Sequence, residues 1–172
     1  KLGFREGVLS QGVIEKCAAY AAREHGDARR ALELLRVAGE IAERNNKSMV
    51  ELSDIDEAEE KIERDKIVEI VHTQPKQFQL TLLAIFEVSK NSKSMFTGDV
   101  YEVYKELCQK IRLKPLTQRR VSDIIAELDM LGIVNAKVVS KGRYGRTREI
   151  GVAVAPSTVP NVLSVLKEGL GI

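Results

Sequence analysis

The feature that most constrains this 172-residue chain is a helix with cations at its start, followed directly by a hairpin with cations at its tip. It occupies residues 115–149 and opens Pro115-Leu116-Thr117-Gln118-Arg119-Arg120. Val121, Ile124, Ile125, Leu128 and Leu131 follow at i, i+3, i+4, i+7 and i+10, which predicts a helix with all five turned to a core. Arg119, Ser122, Asp123 and Ala126 fall on the opposite side, with Gln118 and Arg120 flanking. Thr117 is the expected N-cap, Pro115 disfavours an earlier start, and Gly132 suits the position just past the helix end. Such an N-terminus offers unpaired backbone N–H groups and the positive end of a dipole, both suited to phosphate.

The hairpin narrows the reading. Ile133-Val134 and Val138-Val139 precede a turn, and Ile150, Val152 and Val154 alternate after it, as half-buried strands do. Gly142 and Gly145 permit a tight tip. Lys141, Arg143, Arg146 and Arg148 crowd that tip, and Glu149 is the one acid beside them. Like charges packed so closely repel one another unless an anion is to be bound, and Tyr144 adds a ring that can stack or hydrogen-bond phosphate. A cationic edge that merely blocks strand pairing is the competing reading. A helix for the major groove with a hairpin for the neighbouring backbone is the layout of a winged-helix DNA reader. The candidate DNA-binding residues are Thr117, Gln118, Arg119, Arg120, Ser122, Lys141, Arg143, Tyr144, Gly145, Arg146 and Arg148.

Charge divides the chain. Residues 1–75 hold 12 Lys+Arg against 16 Asp+Glu, net −4, and the rest hold 15 against 9, net +6. The acidic part predicts a three-helix bundle. Ser10 is a candidate cap for a helix over 10–24 with Val13, Ile14, Cys17, Ala18 and Ala21 inward. Asp27 caps a second helix to about residue 45, burying Ala31, Leu34, Leu35, Ala38, Ile41 and Ala42. Ser53 caps a third over 54–71, whose acids Asp54, Asp56, Glu57, Glu59, Glu60, Glu63 and Asp65 read as a solvated face. The shift in composition at Thr73-Gln74-Pro75 sets the boundary, giving domains 1–74 and 75–172. Beyond it come helices over 76–90 and 97–111, a loop at 91–94, the helix and hairpin already described, and a closing helix after Pro156. The expected fold is therefore mainly α, a small bundle followed by a winged helix.

Enzyme chemistry is not legible. No G-x-x-x-x-G-K-[ST] loop occurs, His25 and His72 stand apart, and no Cys/His spacing suits a metal. Cys17 and Cys108 lie in apolar helical patterns, which predicts two buried thiols rather than a disulfide. No run approaches the roughly 18 apolar residues of a membrane span. The chain starts at Lys1, which suggests a piece of a longer protein.

One motif in the acidic half stands out. Gly26-Asp27-Ala28-Arg29-Arg30-Ala31-Leu32 opens the second helix, and spacing alone makes Arg29 a surface partner of Glu33, with Arg36 and Glu40 repeating the pair. Continued by Leu34-Leu35-Arg36-Val37-Ala38-Gly39-Glu40-Ile41-Ala42, the motif resembles the lid of archaeal origin-recognition (cell-division-control type) initiators of the AAA+ class. Thr97-Gly98-Asp99-Val100-Tyr101 and the hairpin Lys141-Gly142-Arg143-Tyr144-Gly145-Arg146-Thr147 look like the same family, so the similarity spans nearly the whole chain.

The resemblance implies the C-terminal part of a DNA replication initiator, a lid over 1–74 and an origin-binding winged helix over 75–172. In that family the motif arginine senses the γ-phosphate of ATP across the lid, a role that would fall on Arg29. ATP or ADP and Mg belong to the full-length ATPase; the ATPase core is absent from this sequence, so the sensor is latent and the chain itself is expected not to be an enzyme. Implied partners are double-stranded origin DNA and, by analogy, a replicative helicase or a paralogous initiator, with no membrane. The free chain is expected to be monomeric, cytoplasmic and nucleoid-associated. A winged-helix transcription regulator with a helical dimerisation domain is the alternative, and it predicts a stable dimer on a palindromic site.

Overall fold

The computed structural model describes residues 3–23, 26–92, 94–140 and 146–172. Seven helices and a three-stranded sheet lie among the described residues: α1 (Val13–Arg23), α2 (Ala28–Arg44), α3 (Leu52–His72), α4 (Lys76–Ser89), β1 (Met95–Phe96), α5 (Thr97–Lys110), α6 (Gln118–Met130), β2 (Val134–Ser140), β3 (Arg146–Val152) and α7 (Val159–Leu170). They form two compact units, Lys1–Lys66 and Ile67–Ile172. The division falls inside α3, because Ile67, Val68, Ile70 and Val71 pack into the second core. Thr73-Gln74-Pro75, the boundary read from sequence, ends the same helix.

The first unit closes α1, α2 and the start of α3 around Val13, Cys17, Leu34, Val37, Ala38, Ile41, Val50, Ile55 and Ala58. Asp27 caps α2 as expected, accepting from the Arg29 backbone N–H at 2.9 Å. Ser10 does not cap α1, which begins only at Val13; residues 8–10 instead pair with Val50 through Val50 N–H to Val8 O (2.7 Å) and Ser10 N–H to Val50 O (3.0 Å). Ile14, expected inside, is exposed, and Val37 takes a core place that the predicted stripe omitted.

The acidic run of α3 is less solvated than its composition suggests. Asp54 is only 1% exposed; it accepts the Glu51 N–H and the Lys47 ammonium, both at 2.8 Å. It thus does the capping expected of Ser53, and α3 starts two residues earlier than predicted, at Leu52. The Lys47 ammonium also donates to the Glu51 carboxylate at 2.8 Å, and the two bonds, Asp54 first and Glu51 second, hold it above its usual lysine range. Asp56 likewise takes the Lys16 ammonium at 2.7 Å and the Tyr20 hydroxyl at 2.8 Å.

In the second unit, helices α4 to α7 and the sheet enclose Leu80, Leu83, Phe86, Met95, Val100, Tyr104, Ile124, Ile125, Leu128, Ile133, Ile150, Val162 and Leu166. The sheet order is β1-β3-β2, antiparallel throughout, with Met95 opposite Ile150 and Val134 through Ser140 opposite Val152 through Arg146. β1 was not foreseen. Two residues carry no period, and they become a strand only because β3 offers them a free edge.

Helix α6 ends in a Schellman turn: Gly132 has φ +72°, its N–H donates to Asp129 O at 2.9 Å, and Ile133 N–H donates to Leu128 O at 3.1 Å. That turn overturns one expectation. Leu131 is 39% exposed, because the chain leaves the helix there and Ile133 takes the core place. Cys17 and Cys108 are buried free thiols, and burial raises the pKa of both.

Candidate nucleic-acid interface

The start of α6 is fixed before the helix begins. The Leu116 N–H donates to the Tyr104 hydroxyl at 3.0 Å, and the Tyr101 hydroxyl donates to the Leu116 carbonyl at 3.1 Å. Gln77 of α4 holds the same connection, its Nε2 donating to Lys114 O at 3.0 Å while its Oε1 receives the Tyr104 hydroxyl. Thr117 then caps α6, its hydroxyl accepting from Arg120 N–H at 3.3 Å. Its residues are therefore presented from a braced end.

A groove of about 540 Å³ runs between the first turns of α6, the start of α5 and the β2–β3 pair. Five of the eleven candidate residues line it: Gln118, Arg119 and Ser122 from α6, and Arg146 and Arg148 from β3. Arg119 and Arg146 are exposed and have no carboxylate partner among the described residues. Arg148 is held at both ends, its backbone N–H donating to Thr97 Oγ1 and its Nε to Ser122 Oγ, each at 3.3 Å. It thereby links α5, β3 and α6.

Thr117 and Arg120 stand exposed on the first turn of α6 but outside this lining, and Arg120 lies 3.7 Å from Glu127 and 3.9 Å from Asp123. Lys141, Arg143, Tyr144 and Gly145 lie outside the described residues. Four lining residues escaped sequence reasoning: Thr97, Asp123, Val138 and Thr147. The spacing puts Asp123 on the outward face of the helix, which is the available signal. Val138 had none, since an apolar strand residue reads as core, yet it is 52% exposed. What the groove offers is cationic forks, hydroxyls, an amide and one exposed methyl pair beside a helix N-terminus, the chemistry of phosphate and base edges.

The nucleotide-sensor candidate, Arg29, sits in the first turn of α2 with its side chain 90% exposed. Its Nε donates to Asp27 at 3.0 Å, not to Glu33 as its spacing suggested. Glu33 goes instead to Arg30, whose side chain is 11% exposed and which also reaches Glu59 (3.0 Å) and Glu63 (3.2 Å) of α3. The pair Arg36–Glu40 forms as expected. Two adjacent arginines thus do different work. Arg30 ties α2 to α3, and Arg29 faces water.

Among the described residues no cluster of His, Cys, Asp and Glu is arranged to hold a metal ion, and no helix is long and apolar enough to cross a membrane.

Comparison with known proteins bears on both units. Residues 1–60 match the family described as the Cdc6 AAA+ ATPase-type lid domain, and residues 69–162 match the CDC6 C-terminal winged helix domain. The chain is 60% identical over 163 residues to the ORC1-type DNA replication protein of Thermococcus onnurineus, covering 94% of this chain and 39% of that protein. It is 59% identical over 161 residues to the ORC1-type DNA replication protein of Pyrococcus furiosus, covering 93% and 38%. Among solved structures it is similar to the Aeropyrum pernix ORC1 protein in complex with DNA, at 50% identity and TM-score 0.84 over 96% of this chain and 42% of that one. The chain thus spans about two fifths of the length of these relatives.

Proposed function

Because this chain belongs to the ORC1/Cdc6 family of DNA replication proteins, carrying its lid and its C-terminal winged helix, we propose that it binds double-stranded origin DNA through the α6–β3 groove. One observation carries the reading. Two arginines from different elements, Arg119 and Arg146, enter one groove beside a braced helix N-terminus, and neither forms an ion pair among the described residues. Arranged so, α6 supplies side chains to base edges while β3 and the hairpin grip phosphate. The Aeropyrum pernix chain, whose fold this one shares closely, was solved on DNA, which supports the same role here.

In this proposal the first unit senses nucleotide within the longer protein. Arg29 fits that duty: its guanidinium is exposed on a helix start and, among the described residues, is held by Asp27 alone, so an anion can draw it away. ATP with Mg would supply the γ-phosphate that distinguishes the two nucleotide states; Arg29 supplies the charge that registers it. Free of DNA the chain is monomeric. Its setting is the nucleoid, and a replicative helicase or a paralogous initiator is the further partner.

The test is fluorescence anisotropy on an origin-like inverted repeat and on a scrambled duplex across a salt series. Neutralising about five phosphates gives a slope of log K on log salt of roughly −4 to −5. Arg119→Ala and Arg146→Ala each weaken binding and reduce the slope by about 1. A slope near −1 or shallower, or wild-type affinity in both variants, removes the interface. Light scattering after size exclusion reads the oligomeric state, and a stable dimer favours a regulator instead.

A further inference from the structure

We propose that Asp123 reads sequence at this interface, accepting a hydrogen bond from the exocyclic amine of a cytosine; this rests on the DNA-binding reading above. Asp123 lines the groove from α6, one turn beyond Arg119 and beside Ser122. Three arginines line the same groove. A surface that only gripped phosphate would gain nothing from a carboxylate there, since it repels the backbone that the arginines attract.

The fold does not consume this carboxylate. Its side chain is 53% exposed, and its one ion pair among the described residues is with Arg120 at 3.9 Å. Arg120 lies nearer to Glu127, at 3.7 Å, so it keeps a partner without Asp123. An acid left available among cations, on the side of the helix that faces the duplex, needs a donor on the ligand.

Base chemistry then selects the donor. In the major groove hydrogen-bond donors come from the amines of cytosine and adenine. A carboxylate can only accept. Adenine presents its N7 lone pair beside its amine and repels a carboxylate, whereas the cytosine amine has no acceptor of the same base next to it in that groove. Asp123 therefore favours cytosine over adenine, and over guanine and thymine, whose major-groove edges would meet it with acceptors or a methyl.

The experiment is selection from a randomised duplex library with the whole chain and with Asp123→Ala and Asp123→Asn, followed by anisotropy on the selected duplex and its single-base variants. Thermal melting by circular dichroism checks that the variants stay folded. In the wild-type chain, replacing one particular cytosine weakens binding by about tenfold. Asp123→Ala loses that preference at that position alone and binds scrambled duplex at least as tightly. Asp123→Asn moves the preference toward adenine, whose N6 and N7 an amide pairs with. The inference is overturned if Asp123→Ala keeps the same cytosine, or if it tightens binding equally on all sequences, which would make Asp123 a phosphate-repelling group only. Uniform weakening with a lowered melting temperature would make it a structural partner of Arg120 and overturn it too. Wild-type binding that is salt-steep yet indifferent to cytosine sinks this inference and leaves the DNA reading standing; no binding to any duplex removes both.

Discussion

The hydroxyl of Tyr104 accepts the Leu116 backbone N–H at 3.0 Å, one residue before the N-cap of α6. Tyr101 completes the grip by donating to the Leu116 carbonyl at 3.1 Å, and the two rings stack with centroids 6.0 Å apart. Both backbone groups of one residue are thus held by α5, which sets where the reading helix starts. Tyr104→Phe keeps the buried ring and removes both the acceptor for Leu116 and the donor to Gln77 Oε1. Leaving the Leu116 N–H without that partner costs about 1–3 kcal/mol, measurable by urea denaturation. Tyr101→Phe leaves that N–H bonded and costs about 1 kcal/mol. Both variants weaken DNA binding, Tyr104→Phe the more. Equal wild-type affinity in Tyr104→Phe means that Leu116 does not position α6.

The same tyrosine makes stability depend on alkaline pH. Burial pushes the Tyr104 hydroxyl up to about 12; the Leu116 N–H opposes the rise and Cys108 adds to it. The ordinary value is 10.0, so the folded chain holds this proton more tightly than the unfolded one. Its contribution is complete below pH 10 and disappears as pH climbs from there to about 12. Absorbance titration at the tyrosinate band should show one tyrosine ionising with unfolding rather than before it. Tyr104→Phe removes that component. Tyr20 keeps a smaller upward shift of its own, caused first by its bond to Asp56.

Arg29 and Arg30 separate a surface role from a structural one. Arg30 is mostly buried and meets Glu33, Glu59 and Glu63, so Arg30→Ala strips three carboxylates of their shared cation. A loss of about 2–3 kcal/mol is expected, below the figure for fully buried pairs because the glutamates are partly exposed. Arg29→Ala removes an exposed side chain and changes stability by under about 0.5 kcal/mol. Thermal melts of the two variants side by side decide this, and equal losses would contradict the arrangement.

These arginines also show where sequence reading runs out. The hydrophobic period located α2 and α6 and the order of their neighbours, since amphipathic stripes state which face is buried. A stripe does not say what packs against its margin. Arg29 and Arg30 are equivalent by composition, and only the position of Glu59 and Glu63 across the bundle makes one of them a clamp. Asp54 reads as one acid in a solvated run until the chain folds Lys47 and Glu51 onto it. Leu131 fits the stripe by number, but the Schellman turn at Gly132 ends the helical geometry that the count assumed. In the groove, five cationic and polar residues were legible because a helix start and a hairpin are local patterns. Thr97 was not, since it reaches Arg148 only through the long-range β1–β3 pairing, while Val138 and Thr147 lie in the hairpin strands, where an apolar residue and a threonine read as ordinary strand positions.

Thr97 supplies the last expectation. It is 4% exposed, and its hydroxyl receives the Arg148 backbone N–H, while the Arg148 side chain reaches Ser122. Position and side chain of Arg148 are therefore set by different helices. Thr97→Val keeps the shape and deletes the acceptor, stranding a partly buried N–H at a cost of about 1–2 kcal/mol. Ser122→Ala removes a side-chain bond of the same length, strands no backbone group and costs under about 1 kcal/mol; it also releases the guanidinium toward phosphate. On one duplex at one salt concentration, Thr97→Val should weaken binding several-fold, and Ser122→Ala should leave it within about threefold. The reverse order would mean that the hydroxyl of Ser122, not the backbone anchor at Thr97, determines how β3 meets DNA.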